Sequence, residues 1–263
     1  MSQDRQLEKE SQGIFKRQRK LRRSVYLLPS ALTVGTIFAG FYAVISTLNG
    51  EYNSAALAIG IAVVLDGLDG RVARMANVTS DFGVQLDSLA DVISFGIAPA
   101  VLIYSWGLVE FGEFAQFSAF VFLICGATRL ARFNIQLKEL KSFVGLPIPA
   151  GAGFVAATVH LFVTPPDSHI FKFYLVGITY LLSFLMVSTV RYPSLKHLNL
   201  GDGKSHLNVL MLALLVAGIT WYSQQVLMII ASVYLFSGLV SRAVQLVKLR
   251  PQPEGLPTEE AVD

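Results

Sequence analysis

One cysteine, Cys125, and four histidines are the only thiol and imidazole groups in this 263-residue chain. A single thiol excludes an intramolecular disulfide framework, and Cys125, inside an apolar run, reads as a small core residue. The histidines offer no more: His160 sits in an apolar run, His197 and His206 near a loop, and none has metal-ligand spacing. Charge is scarce too, at 15% of residues against 53% hydrophobic ones, with a mean hydropathy of +0.56. That balance excludes a disordered or ordinary soluble chain and indicates an integral membrane protein. The net charge is only +3, and no nucleic-acid partner is expected.

Apolar stretches long enough for a bilayer recur along the chain. They fall near Leu28 to Leu48, Ala55 to Met75, Val84 to Leu108, Phe114 to Asn134, Ile148 to Val163, Phe171 to Val190, Leu207 to Tyr222 and Gln225 to Val247. The expected fold is therefore all-α, a polytopic membrane bundle of about eight transmembrane helices. The first run is longer than a signal-peptide core and lacks a small-residue cleavage site, so it reads as a retained helix. Residues 1–24 form a polar segment holding eight of the 21 basic residues, and 251–263 an acidic, proline-containing tail.

Charge placement tests this topology. With eight spans and a cytoplasmic N-terminus, the outward connections hold Glu51, Glu110, Glu113 and Asp167, with Lys172 as the nearby cation. The inward ones hold or border Arg71, Arg74, Arg129, Arg132, Lys138, Lys141, Arg191, Lys196, Lys204, Lys248 and Arg250. The positive-inside rule is obeyed throughout, which puts both termini and the connection between the second and third helices on the cytoplasmic side. The basic N-terminus is also suited to anionic lipid headgroups.

Around that connection lies the chain's energetic anomaly. Asp66, Asp69, Asp87 and Asp91 stand in segments apolar enough to enter a membrane, where an unpaired carboxylate costs roughly 2.5–3.5 kcal/mol or more. On the second helix Asp66, Asp69, Gly70, Ala73 and Arg74 share an arc of about 140°. On the third, Gly83, Asp87 and Asp91 make a stripe about 80° wide. Two facing helices would bring the four carboxylates together. They then need countercharge, which divalent ions supply. All-oxygen ligands favour hard ions such as Mg²⁺, Mn²⁺ or Ca²⁺ over zinc. Four carboxylates suit two metals with phosphate oxygens completing the coordination. The small residues leave one surface open to a ligand, and Arg74 is placed to pair with a phosphate. An ion or solute transporter is the rival reading of a different class, because ion pathways also use intramembrane carboxylates.

The pattern Asp66-x-x-Asp69-Gly70-x-x-Ala73-Arg74, eight residues, then Gly83-x-x-x-Asp87-x-x-x-Asp91 resembles without departure the signature of the CDP-alcohol phosphotransferases. The resemblance implies a six-helix core over residues 25–190, with 191–250 adding a cytoplasmic loop and two further helices, and a homodimer. It implies that Asp66, Asp69 and Asp87 hold two divalent cations against a CDP pyrophosphate, with Asp91 also near the metals and acting as general base. Gly70, Ala73 and Arg74 would lie along the CDP moiety, with Gly83 at its close approach. The metals would be Mg or Mn, with Ca as a non-productive occupant.

Four further segments narrow the resemblance to the membrane-integral, serine-using branch: DSLADVISFGIAPA (87–100), ATRLARFN (127–134), FVGLPIPAGAG (143–153) and RYPSLK (191–196). The implied substrates are CDP-diacylglycerol and L-serine, the products phosphatidylserine and CMP. The same signature would serve glycerol 3-phosphate, inositol or choline as acceptor, because it reads the donor. Arg129, Arg132 and Asn134, at the end of the fourth helix, are candidates for the serine carboxylate or a lipid phosphate. Their alternative role is to set topology.

Overall fold

Every regular element among the described residues is helical. The structure, a computed structural model, describes residues 30–75, 81–136, 145–190, 192 and 205–248, with backbone alone for 73, 74, 81, 136, 205–216, 241 and 243–248. Outside the described residues lie the basic segment 1–24, the tail 251–263, Lys138, Lys141, Arg191, Lys196, His197, Lys204 and Arg250. The side chains of Ala73, Arg74, His206 and Lys248 lie outside them too.

Among the described residues seven helical elements follow one another: α1 Ser30–Leu48, α2 Tyr52–Met75, α3 from Asp81 to Phe111, α4 Glu113–Gln136, α5 Ile148–Phe162, α6 His169–Val187 and α7 Ser205–Lys248. Five of them contain a stretch long and apolar enough to cross a membrane: α1, α3, α4, α6 and α7 from Ala217 to Val240. The expected seventh and eighth helices follow each other within α7 as two helices that meet across a kink at Tyr222, whose backbone is non-helical (φ −133°, ψ 45°). The fifth is short as expected: 15 residues rise about 22 Å, less than a hydrocarbon core of about 30 Å.

That short helix is the centre of the bundle. From Gly151 to His160 all but one residue of α5 are buried, and α2, α3, α4, α6 and α7 all pack on it. A helix rich in Gly and Ala and apolar on every side is suited to this place, since small residues let neighbouring backbones approach. Its start is set by Pro147 and Pro149, which tolerate a first turn where no N–H partner is needed. Just before it, Gly145 takes φ +88° while its N–H bonds Val190 O at 2.8 Å. A Cβ at 145 would collide with the carbonyl of Met186, so only glycine fits this hook onto the end of α6.

The polarity of the packing is that of a membrane protein. Phe38, Phe117, Phe120, Phe184 and Trp221 point outward, each more than half exposed. Inside, hydroxyls satisfy themselves on the preceding turn: Thr47 on Ala43 O, Ser118 on Phe114 O, Thr158 on Phe154 O, Thr179 on Leu175 O. Such bonds leave no donor stranded where water is absent.

The two ends of the bundle differ in charge. At one end His160 of α5 joins Asn53 of α2 (2.6 Å) and Ser223 of α7 (2.9 Å). At the same end Lys172 of α6, buried, meets Glu110 of α3 at 2.6 Å. The cation noted among the outward-facing acids is thus neutralised by one of them. From Ser223, α7 returns along α5, with Met228 against Thr158 (3.9 Å), toward the other end. That other end collects the start of α1, the last turns of α2, the start of α3 and the last turns of α4.

Candidate active site

Helical spacing on α2 and α3 becomes a cluster once the two helices pack. Asp66 and Asp69 stand in the last three turns of α2, Asp87 and Asp91 in the first three of α3. Asp66, Asp69 and Asp87 each present an oxygen within 4.8 Å of the others. Asp91 lies within hydrogen-bond reach of Asp66. Directly after Asp91, α3 widens into a π-helical segment, Val92–Ile97, a form that concentrates at functional sites. There Ser94 ties α3 to α1 by donating to Thr36 O at 2.8 Å.

The carboxylates are held rather than free. Asp69 is 6% exposed and its Oδ2 accepts a 2.9 Å hydrogen bond from Oγ1 of Thr33 on α1. Asp91 is 9% exposed, and among the described residues its Oδ1 has no hydrogen-bond partner. Arg129 of α4, 8% exposed, faces Asp91 electrostatically, and its guanidinium carbon lies 5.3 Å from the Phe133 ring centroid. Its Nε likewise has no partner among the described residues.

The donor set fits divalent cations. Three carboxylates at 4.8 Å or less repel by about 3 kcal/mol per pair at an effective dielectric of about 20, and a cation among them reverses that sign. Oxygen-only ligands match hard ions. The orphaned Oδ1 of Asp91 offers a further acceptor beside the three.

The other residues singled out in the sequence distribute unevenly around this cluster. Gly70 follows Asp69 and Gly83 stands one turn before Asp87, both half-buried, while Ala73 and Arg74 occupy the last turn of α2 with side chains outside the described residues. Of the three α4 candidates only Arg129 reaches the aspartates. Arg132 donates from Nη1 to Val187 O at 2.9 Å, capping the end of α6. Asn134 donates to Oγ of Ser88 at 2.9 Å, and Ser88 in turn donates to Val84 O.

Two contributors went unnoticed in the sequence. Thr33 had a signal, since Ser30, Thr33 and Thr36 put hydroxyls at three-residue spacing on one face of the first apolar run. Tyr234 of α7 had none. It stands within electrostatic range of Arg129, stacked on Tyr192 with ring centroids 5.7 Å apart.

Comparison with known proteins gives the family. A CDP-alcohol phosphatidyltransferase family model matches residues 26–237, from before α1 into the last turns of α7. A CDP-diacylglycerol–serine O-phosphatidyltransferase of Helicobacter pylori is 35% identical over 233 residues, 86% of this chain and 94% of its own. One from Bacillus subtilis is 37% identical over 170 residues, covering 64% of this chain and 91% of its own. An archaetidylserine synthase of Methanothermobacter thermautotrophicus is 35% identical over 181 residues, 65% and 71% respectively. With all four aspartates and every helix but the last turns of α7 inside the matched span, the chain belongs to the CDP-alcohol phosphatidyltransferase family of enzymes.

Proposed function

We propose that this protein transfers the phosphatidyl group of CDP-diacylglycerol to the hydroxyl of L-serine, giving phosphatidylserine and CMP. The observation that carries this reading is the position of Asp91, within electrostatic range of both the Asp66–Asp69–Asp87 cluster and Arg129. Such a site has a place for a pyrophosphate and, across the base, a cation for an acceptor that bears a carboxylate. The names of the relatives support serine among the acceptors.

Asp66, Asp69 and Asp87 would hold two divalent cations, Mg²⁺ or Mn²⁺, with Asp91 at their edge and Ca²⁺ as a non-productive occupant. Such ions, when bound, neutralise the pyrophosphate and stabilise the charge developing on departing CMP. The polypeptide does the rest. Gly70, Ala73 and Gly83 leave room for the CDP moiety, and Arg74 pairs with a phosphate. Thr33 holds Asp69 in place. Arg129 orients the serine carboxylate, while Arg132 and Asn134 fix the α4–α6 and α4–α3 contacts around it. Asp91 takes the serine hydroxyl proton as that oxygen bonds to the phosphorus bearing diacylglycerol, and the phosphorus–oxygen bond to CMP breaks with its electron pair leaving on CMP. Direct displacement is preferred because Ser88 and Ser94 both donate to backbone carbonyls, so neither is poised as a nucleophile.

The site end of the bundle carries Arg71, Arg129 and Arg132, and the far end Glu51, Glu110, Glu113 and Asp167, which supports a cytoplasmic active site and termini. The full assembly we propose has eight spans per chain, a six-helix core over 25–190 and two chains as a homodimer. Purified protein given CDP-diacylglycerol with serine, glycerol 3-phosphate, inositol or choline separately tests the assignment. Serine alone should release CMP at a substantial rate; another alcohol in its place would move the enzyme to a different branch of the family.

A further inference from the structure

From Asp91 a chain of polar groups that the donor chemistry does not use runs through Arg129 to Tyr234 and Tyr192. Nε of Arg129 and the hydroxyl of Tyr192 are buried with no hydrogen-bond partner among the described residues, as is Oδ1 of Asp91. Leaving such a group unsatisfied is costly, so the two on Asp91 and Arg129, side chains within electrostatic range of each other, mark a place built for a ligand. Tyr192 stands just beyond α6 and Tyr234 on α7. Their rings stack at 5.7 Å with planes 24° apart. Gly238, one turn after Tyr234, gives the Tyr192 ring its seat, since a Cβ there would lie 2.6 Å from Cδ1 of that ring. Leu235, 3% exposed, locks the same turn into the core. Tyr234 itself is half-buried and lies within electrostatic range of Arg129.

We infer that Tyr234 is a specificity-determining residue for the acceptor, its hydroxyl donating to the carboxylate that Arg129 binds. Resting on the serine reading above, this deepens it: the C-terminal helix, outside the six-helix core, helps read the acceptor. Tyr192 acts through Tyr234, as a positioning residue that holds the ring by stacking. A phenol donor and a guanidinium fork satisfy both oxygens of a carboxylate, and neither has a use for an alcohol without one.

The test compares serine with ethanolamine, which is serine without its carboxylate, in full-length Tyr234→Phe and wild-type enzyme. The variant keeps the ring and its stack and loses only the hydroxyl. KM for serine should rise about tenfold, the loss of one hydrogen bond to a charged group, with KM for CDP-diacylglycerol changed less than about twofold. The serine-to-ethanolamine ratio of kcat/KM should fall by the same factor of about ten. An unchanged ratio, with the donor KM intact to show a folded enzyme, overturns the role of Tyr234 while leaving the serine assignment standing. A wild type that releases CMP with a different alcohol and not with serine overturns both.

Discussion

Oγ1 of Thr33, on α1, donates a 2.9 Å hydrogen bond to Oδ2 of Asp69, on α2. The bond crosses 36 residues of sequence and fixes one carboxylate of the cluster. Groups that orient a metal ligand in this way are typically worth about 10–100-fold in metal affinity. Thr33→Val, which keeps the shape and removes the donor, should raise the divalent concentration for half-maximal activity about tenfold. A titration of CMP release against Mg²⁺ checks this, and serine KM should stay where it was.

Asp66→Asn and Asp87→Asn each remove one charge from the three-carboxylate cluster. Metal-dependent binding of CDP-diacylglycerol should be lost in both, measured by calorimetry in detergent with and without chelator. In the wild type, chelation should abolish CMP release and added Mg²⁺ or Mn²⁺ should restore it. Metal-independent turnover would remove the cluster from the chemistry.

Arg129 and Arg132 are separated by less than one helical turn and should behave differently. Arg129→Lys keeps the charge and loses the planar fork, so serine KM should rise with little change in thermal stability. Arg132→Met loses the bond to Val187 O at the end of α6, which is worth about 1–2 kcal/mol. That variant should unfold at lower temperature with serine KM unchanged. The two readouts, kinetics and thermal unfolding, separate recognition from support.

His160 provides a control at the far end of the bundle. Its ring joins Asn53 and Ser223, both half-buried, and His160→Ala would lose both bonds, at about 0.5–1.5 kcal/mol each. The unfolding midpoint should drop, and the KM values for serine and CDP-diacylglycerol should not. A change in either KM would mean that the two ends are coupled through α5 or α7.

What was legible in the sequence was local. The aspartates share faces because i, i+4 spacing is a property of one helix, and the apolar runs mark helices for the same reason. The α2–α3 pairing followed from a single further assumption, that the two faces meet. Contacts between elements distant in the chain carry no such periodic mark. Thr33 reaches Asp69 and Tyr234 reaches Arg129 only because α1 and α7 pack where they do. Arg129 and Arg132 have the same chemistry and almost the same position; the carbonyl at the end of α6, set by tertiary packing, takes one and leaves the other facing Asp91. The break at Tyr222 sits within one residue of the boundary expected from polarity, yet the backbone stays helical on both sides of it.

In the reaction proposed above, Asp91 is the base for phosphatidyl transfer to serine at a cluster that binds the CDP-lipid. Serine-dependent CMP release and metal-dependent CDP-diacylglycerol binding, measured side by side on purified wild type and Asp91→Asn, test it most directly. Turnover in the variant should fall at least about a hundredfold, in keeping with loss of a general base, while much of the CDP-lipid binding is retained. Undiminished CMP release by Asp91→Asn would contradict the assignment.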